Sequence, residues 1–325
     1  MNLSEKRIFV AGASGMVGSS VVRELERRGC SRLLTPSSRD TDLTDRGQVD
    51  EFFEANSPDV VVIAAAKVGG ILANNTYRAD FIYQNLMIEA NVIHAAFTSK
   101  VEKLILLGSS CIYPRDAGQP MREEALLSGY LEFTNEPYAV AKIAGIKLCE
   151  SFYRQHGSNF FSLMPTNLYG PNDNFDLETS HVIPALIRKF HEAKKSEARE
   201  VEIWGSGRPR REFMHVDDLA EAILFSLDEL NADAIYGTGI SHLNVGTGTD
   251  VEIIEAAQMI REIVGFEGEI VTDPSKPDGT PRKLLDVSRM NSLGWHSRIG
   301  LREGLRSAYD WYLNNVATTR DASSV

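Results

Sequence analysis

Lys6-Arg7-Ile8-Phe9-Val10-Ala11-Gly12-Ala13-Ser14-Gly15-Met16-Val17-Gly18 passes from a β-rich apolar stretch straight into a glycine turn spaced GxxGxxG. Behind it, Met16–Arg28 carries Val17, Val21 and Leu25 on one face and has Gly29 just past its end, the pattern of a helix. Strand, glycine turn and helix in that order form the context in which this spacing binds a dinucleotide. Glycines permit the tight turn and let the backbone approach a pyrophosphate. The helix N-terminus adds free N–H groups and the positive end of a dipole. From these residues alone, a tight turn in some other α/β fold reads the same way.

Outward from the turn, strands and helices alternate. Arg32–Thr35 is a short strand, Asp45–Asn56 a helix, and Asp59–Ala64 (DVVVIA) a continuous apolar strand of the kind found inside a parallel sheet. Asp80–Thr98 is a long helix, Lys103–Leu107 a strand, Pro137–His156 a helix opened by proline at its first turn, and Phe160–Met164 a strand. This alternation predicts an α/β fold with a doubly wound parallel (Rossmann) sheet over residues 1–170. Beyond it the pattern loosens. Helices are predicted near Val182–Lys194, Val216–Leu227, Ile253–Val264 and Leu301–Asn314, and short strands at Val201–Trp204, His242–Asn244 and Glu269–Val271. Residues 171–317 are therefore expected to form mainly a smaller mixed α/β substrate-binding part. Segments such as 212–245 would return to the first domain, a cleft would lie between the two parts, and 318–325 would form a frayed polar tail.

The 325 residues are 43% hydrophobic, enough for a sizeable core. A formal net charge of -11 argues against a general nucleic-acid or anionic-membrane surface but leaves room for a local basic pocket. The cysteines, Cys30, Cys111 and Cys149, are odd in number and lack paired spacing, which fits a reducing cytosol. MNLSEKRIFVAGASG has no apolar signal core, and no later apolar run reaches the roughly 18 residues of a membrane span. A cytoplasmic protein without a metal site is expected.

The end of the second strand, Thr35-Pro36-Ser37-Ser38-Arg39, offers no acid before Asp40 for the ribose hydroxyl of NAD. Arg39 and two serines stand where a 2′-phosphate would lie, so NADP(H) is the expected dinucleotide; a merely solvated Arg39 is the alternative. Tyr138 and Lys142 are spaced i, i+4 at a helix start and share a face. An ammonium beside a phenol favours phenolate and lowers its pKa, giving a usable proton donor to a carbonyl receiving hydride. A surface helix pair would look the same. Leu106–Pro114 (LLGSSCIYP) ends a central strand, where ligands bind in doubly wound sheets. If its backbone stays extended, Ser109 and Cys111 point the same way.

A serine, a tyrosine and a lysine around one carbonyl resemble the short-chain dehydrogenase/reductase family. The segments AAAKVGGILANNTYRADFIYQN, LGSSCIYP, NEPYAVAKIAGIKLCE, MPTNLYGPNDNF, SHVIPALIRKFHEA, WGSGRPRREFMHVDDLA and SKPDGTPRKLLD are similar to its GDP-L-fucose synthase branch, from about Arg7 to about Asn314. That resemblance implies conversion of GDP-4-keto-6-deoxy-D-mannose to GDP-L-fucose by epimerisation at C3 and C5, followed by NADPH-dependent reduction at C4. It gives Cys111 and His181 the proton transfers at C3 and C5, and Ser109, Tyr138 and Lys142 the reduction. Cofactor contacts are implied for Gly12, Ala13, Ser14, Gly15, Met16, Val17 and Gly18, for Leu107, Gly108, Ser109 and Ser110, and for Lys142, Pro165, Thr166, Asn167, Leu168 and His181. Lys189, Trp204, Arg211 and Asp278 become contacts to the GDP-sugar, and a homodimer through the two long helices is implied as well.

Each of these residues also has a bland reading. Cys111 can be a small buried hydrophobe, like Cys30 and Cys149. His181 can cap the helix that follows it, and Trp204 can close a strand in the core. The glycine turn departs from the branch's usual His-Arg pair by carrying Ala13-Ser14, which leaves more of the NADPH preference to Arg39, and Lys189 stands where some members have arginine. Competing activities are a nucleotide-sugar 4-epimerase and a 4,6-dehydratase. Ser110-Cys111 after Ser109 supplies no carboxylate for a dehydratase, and an epimerase has no need of a Cys111–His181 pair. A non-catalytic dinucleotide sensor would not need to keep the serine, tyrosine and lysine together.

Overall fold

The computed structural model describes residues 1–177, 179–276 and 278–319. Its first half contains β1 (Ile8–Ala11), α1 (Met16–Arg27), β2 (Leu33–Leu34), α2 (Arg46–Asn56), β3 (Val60–Ile63), α3 (Ile71–Thr76), α4 (Arg78–Thr98), β4 (Lys103–Leu107), α5 (Glu136–His156) and β5 (Phe160–Pro165). Local chemistry sets several of these ends. Asp45 caps α2 by accepting from the Gln48 amide. Pro137 lies in the first turn of α5, and Gly157 ends that helix at φ 71°.

The second half contains β6 (Asn167–Tyr169), α6 (Val182–Lys195), β7 (Glu200–Trp204), β8 (Arg210–Arg211), β9 (Phe213–His215), α7 (Val216–Glu229), α8 (Ala232–Tyr236), β10 (Leu243–Val245), β11 (Val251–Glu252), α9 (Ile253–Val264), β12 (Glu269–Asp273), β13 (Arg282–Lys283), α10 (Ser288–Ser292) and α11 (Leu301–Thr319).

Six strands form one parallel sheet in the order β2-β1-β3-β4-β5-β10. Apart from Lys103, Ser162 and Asn244, its strands read as apolar runs because both faces are covered. Val10, Val62, Ile105 and Leu163 pack with Val21 and Leu25 of α1 and Leu219 and Ile223 of α7. The alternate residues Phe9, Val61, Leu104 and Leu106 pack with Val49 and Phe53 of α2, Val92 and Ile93 of α4 and Cys149 of α5. A second core joins Ile187 and Phe190 of α6, Ala256 and Ile260 of α9, Val201 and Ile203 of β7 and Leu305 and Tyr309 of α11. The short pair β6–β9 leads from the sheet toward it, and β8 lies between β11 and β13.

Three expectations change. The second strand shrinks to Leu33–Leu34. The strand expected at His242–Asn244 runs from Leu243 to Val245 and, as a returning segment, closes the main sheet, because Leu243 and Val245 complete the core beside β5. The last helix runs on to Thr319, so the first residues of the expected tail are helical, while residues 320–325 lie outside the described part. Among the described residues, no helix is long and apolar enough to cross a membrane.

Candidate active site

The sheet reverses its winding between β1 and β3, the switch point at which doubly wound sheets bind ligands. The glycine turn stands there. The Ala64 amide donates to Ala11 O at 3.0 Å, bringing the end of β3 against the turn. Gly12 has φ 82°, and a Cβ on it would lie 2.7 Å from the backbone of Ala65. Gly18 packs on the Gly12 carbonyl with no room for a side chain. Gly15 is the N-cap of α1 and brings no side chain to cap it, so the first amides of the helix stay available to an anion. Asn172 Nδ2 donates to Ser14 O at 2.8 Å, tying a distant loop onto the turn, a contact that no local sequence signal carries. At the end of β2, Asp40 accepts from Ser37 Oγ at 2.6 Å and from the Ser37 amide at 3.0 Å. Its carboxylate is occupied, and Arg39 is exposed beside it.

Leu107 and Gly108 lead out of β4. The backbone does not stay extended: Ser109 is the last extended residue, at φ -156° and ψ 148°, and Ser110–Ile112 winds into a 3-10 turn. Ser109 Oγ caps that turn by accepting from the Cys111 amide at 3.5 Å. Serine and thiol therefore meet through a capped turn and not through strand alternation. Tyr113 anchors the far side, its hydroxyl 2.7 Å from His242 Nε2 and donating to Asn244 Oδ1 at 2.5 Å.

α5 carries Tyr138 and Lys142 toward this turn. Lys142 Nζ lies 5.7 Å from the centre of the Tyr138 ring and donates to Leu107 O at 3.0 Å. It also lies 2.8 Å from Glu89 Oε1 on α4, and the two side chains are each 2% exposed. The expected phenolate is corrected here. Burial, with the Cys111 and Glu89 charges added, pushes the Tyr138 phenol well above its ordinary pKa. Among the described residues no protein group hydrogen-bonds that phenol. Its ring packs edge-on against Phe81, with centroids 6.4 Å apart.

Cys111 is buried. Burial raises its thiol pKa, and the Ser109 hydrogen bond and the positive charges of Lys283 and Lys142 work against that rise. His181 is the N-cap residue of α6, yet its side chain makes no capping hydrogen bond, which removes the capping explanation. The protein around it lowers its pKa. Among the described residues no hydrogen bond joins His181 to Cys111. Cys30 and Cys149 lie in the core.

Thr166 and Asn167, just past Pro165 at the end of β5, are held by Glu212 O, at 3.3 Å from Thr166 Oγ1 and 2.8 Å from Asn167 Nδ2; Leu168 follows in β6. Glu212 itself is fully buried, and its carboxylate accepts from the amides of Thr247, Gly248 and Leu285. It joins the strand end to the basic strands β8 and β13, and the sequence singled out none of this.

Of the C-terminal cations, Arg188 pairs with Glu192, and Arg210 and Arg282 both pair with Asp250. Lys189, Arg211 and Lys283 keep no carboxylate partner within ion-pair distance among the described residues. Arg211 and Lys283 sit side by side in β8 and β13. Trp204 is not a core residue: it is 59% exposed, with Lys189 Nζ 5.8 Å and Lys276 Nζ 5.6 Å from its ring. Asp278 spends its carboxylate on Ser206, accepting from the amide at 2.6 Å and from Oγ, and so fixes the loop after Trp204.

A family model described as NAD dependent epimerase/dehydratase matches residues 8–246. A GDP-L-fucose synthase of Escherichia coli (strain K12) is 56% identical over 315 residues, 96% of this chain and 98% of its own. The solved structure of a GDP-mannoheptose C4 reductase from Campylobacter jejuni with NADP bound matches at TM-score 0.88 and 38% identity, over 95% of this chain and 99% of that one. A GDP-L-fucose synthetase from Naegleria fowleri bound to NADP matches at TM-score 0.87 and 26% identity, over 98% and 97%. With its glycine turn at the switch point and its serine, tyrosine and lysine at one strand end, the chain belongs to the NAD dependent epimerase/dehydratase family, alongside the GDP-L-fucose synthases.

Proposed function

We propose that this chain converts GDP-4-keto-6-deoxy-D-mannose to GDP-L-fucose, inverting C3 and C5 and then reducing C4 with NADPH. One observation carries the reading. The Cys111 thiol packs beside Ser109, within the fields of Lys283 and Lys142, at the same strand end as the Tyr138 phenol. A simple reductase needs one proton donor. A second proton-moving group beside it supports epimerisation before reduction.

The residues present fit the dinucleotide. Any side chain at Gly12 would fill the cradle, the first amides of α1 are uncapped, and Asp40 leaves Arg39 free for a 2′-phosphate. The Gly12–Gly18 turn would hold the pyrophosphate. Leu107–Ser110, Lys142, Pro165–Leu168 and His181 would line the rest. When bound, reduced NADP supplies the hydride that reduces C4.

The chain's own groups do the remaining work. A C4 ketone acidifies the protons on C3 and C5, since their removal gives an enolate. Cys111 and His181 exchange those protons from opposite faces of the ring. Ser109 Oγ holds the C4 oxygen, and Tyr138, kept protonated, delivers its proton there. Lys189 and Arg211 meet the diphosphate, and Trp204 offers its open ring face, steadied by Asp278 through Ser206. Residues 1–170, with the returning strand β10 and helix α7, would serve the dinucleotide, and 171–317 mainly the GDP-sugar. Tyr83 and Val140, 62% and 40% exposed on α4 and α5, support a homodimer through those helices. Three unpaired cysteines fit a reducing cytoplasm.

The test is incubation with GDP-4-keto-6-deoxy-D-mannose and NADPH in deuterated water. GDP-L-fucose labelled at C3 and C5 is expected; an unlabelled D-configured 6-deoxy product would overturn the reading. Arg39→Ala is expected to weaken NADPH binding about ten- to a hundredfold, matching the ~1.5–3 kcal/mol of a charge-assisted hydrogen bond, and to leave NADH binding unchanged. Equal losses for both in a titration would place the 2′-phosphate elsewhere.

A further inference from the structure

Glu89 stands in the middle of α4 and is 1% exposed. A buried carboxylate in a helix interior requires a partner, and this one has Lys142 Nζ at 2.8 Å. The fit extends to the backbone of α5. Gly145 lies one turn beyond Lys142, and a methyl group on it would collide with the Glu89 carboxylate. The glycine therefore clears the space into which the acid reaches. Nζ is held from two sides, by Glu89 and by Leu107 O at 3.0 Å, and both anchors lie outside the Tyr138–Lys142 helix.

We propose that Glu89 is a positioning residue for the reduction: it fixes Lys142 Nζ between Leu107 O and the Tyr138 ring and offsets the lysine's charge, leaving Tyr138 a neutral proton donor. The proposal rests on Tyr138 donating the proton to the C4 oxygen. The groups facing the phenol are Cys111 from the 3-10 turn, Glu89 from α4, Lys142 from its own helix and the uncharged ring of Phe81. Glu89 faces Lys142, with the Tyr138 and Cys149 side chains of α5 within its field; burial raises the Glu89 pKa, and the Lys142 ammonium in contact with it works against that rise and favours the carboxylate. Of the charges around Tyr138, Glu89 is the one that disfavours phenolate while lying in direct contact with the lysine.

The sign follows from this arrangement. Replacing the carboxylate by an amide removes a negative charge from the phenol's surroundings and exposes it to an uncompensated ammonium. Both changes favour phenolate. The alkaline limb of the reduction, where Tyr138 loses its proton, should therefore move to lower pH in Glu89→Gln, by about one to three units. kcat should fall at alkaline pH while the KM for the GDP-sugar stays within about twofold. Glu89→Asp, which keeps the charge, should restore most of the profile. Gly145→Ala, which displaces the carboxylate but keeps both charges, should shift the limb in the same direction by less.

The measurement is the pH profile of NADPH oxidation at saturating substrate, with thermal melting of each variant alongside. A Glu89→Gln protein that loses activity equally at every pH, its limb unmoved, overturns the proposal and leaves a packing role. If that variant does not fold, Gly145→Ala decides by the same criterion. Tyr138→Phe, assayed in parallel, separates the two levels. Full reduction by Tyr138→Phe sinks the functional reading itself, whereas an unmoved limb in Glu89→Gln with Tyr138→Phe inactive sinks only the role of Glu89.

Discussion

Tyr138→Phe should lose reduction at C4 by about 10²–10⁴-fold, the usual contribution of a positioned general acid. In free energy this is about 3–5 kcal/mol of barrier. The variant is a clean probe because the hydroxyl has no hydrogen-bond partner among the described residues and the ring's edge-on contact with Phe81 survives. The fold should melt as the parent does. Exchange of the C3 and C5 protons with solvent should continue, since Cys111 and His181 are untouched. The check pairs NADPH oxidation with deuterium incorporation followed by NMR. Full reduction would place the proton donor elsewhere, and loss of both activities together would indicate a damaged site.

Cys111→Ser should lose solvent exchange at C3 and C5 by a similar 10²–10⁴-fold, because an alcohol at this position is a far weaker proton-transfer group than a thiol. The side chain is buried and changes little in volume, so binding at the glycine turn should remain. Any product that still forms should keep the D configuration. The pH dependence of exchange in the parent identifies the base. The Cys111 thiol is raised, so its ionised fraction is small at neutrality and grows about tenfold per pH unit. His181 is lowered and is already neutral there. Exchange that climbs steadily with pH assigns the base to Cys111; exchange flat above neutrality assigns it to His181.

The site was legible wherever its chemistry is written in neighbouring residues. Gly12, Gly15 and Gly18 identify the cradle because a turn needs no information from elsewhere in the chain. Tyr138 and Lys142 identify themselves because helical periodicity puts i and i+4 on one face. The reading faltered where side chains choose among partners. Glu89 looks like any acid on a long helix, although it sets the charge balance of Lys142. Arg210 and Arg282 are indistinguishable in the sequence from the basic Arg211 and Lys283 beside them, yet Asp250 occupies both. Ser109 and Cys111 come together by a capped 3-10 turn that strand alternation does not anticipate.

By itself, then, the sequence determined the doubly wound sheet, and it named the glycine turn proposed for the dinucleotide and the groups proposed to move protons. Periodicity, turn chemistry and side-chain type are properties of short stretches. Tertiary structure alone decided which charges stay available. Among the described residues, Lys189, Arg211 and Lys283 have no carboxylate partner while Arg188, Arg210 and Arg282 are paired, and the lysine under Tyr138 is balanced by a carboxylate from another helix. Those outcomes depend on how α4 meets α5 and how β8 meets β11 and β13. Such contacts between distant segments are fixed by packing and burial, which no local pattern encodes.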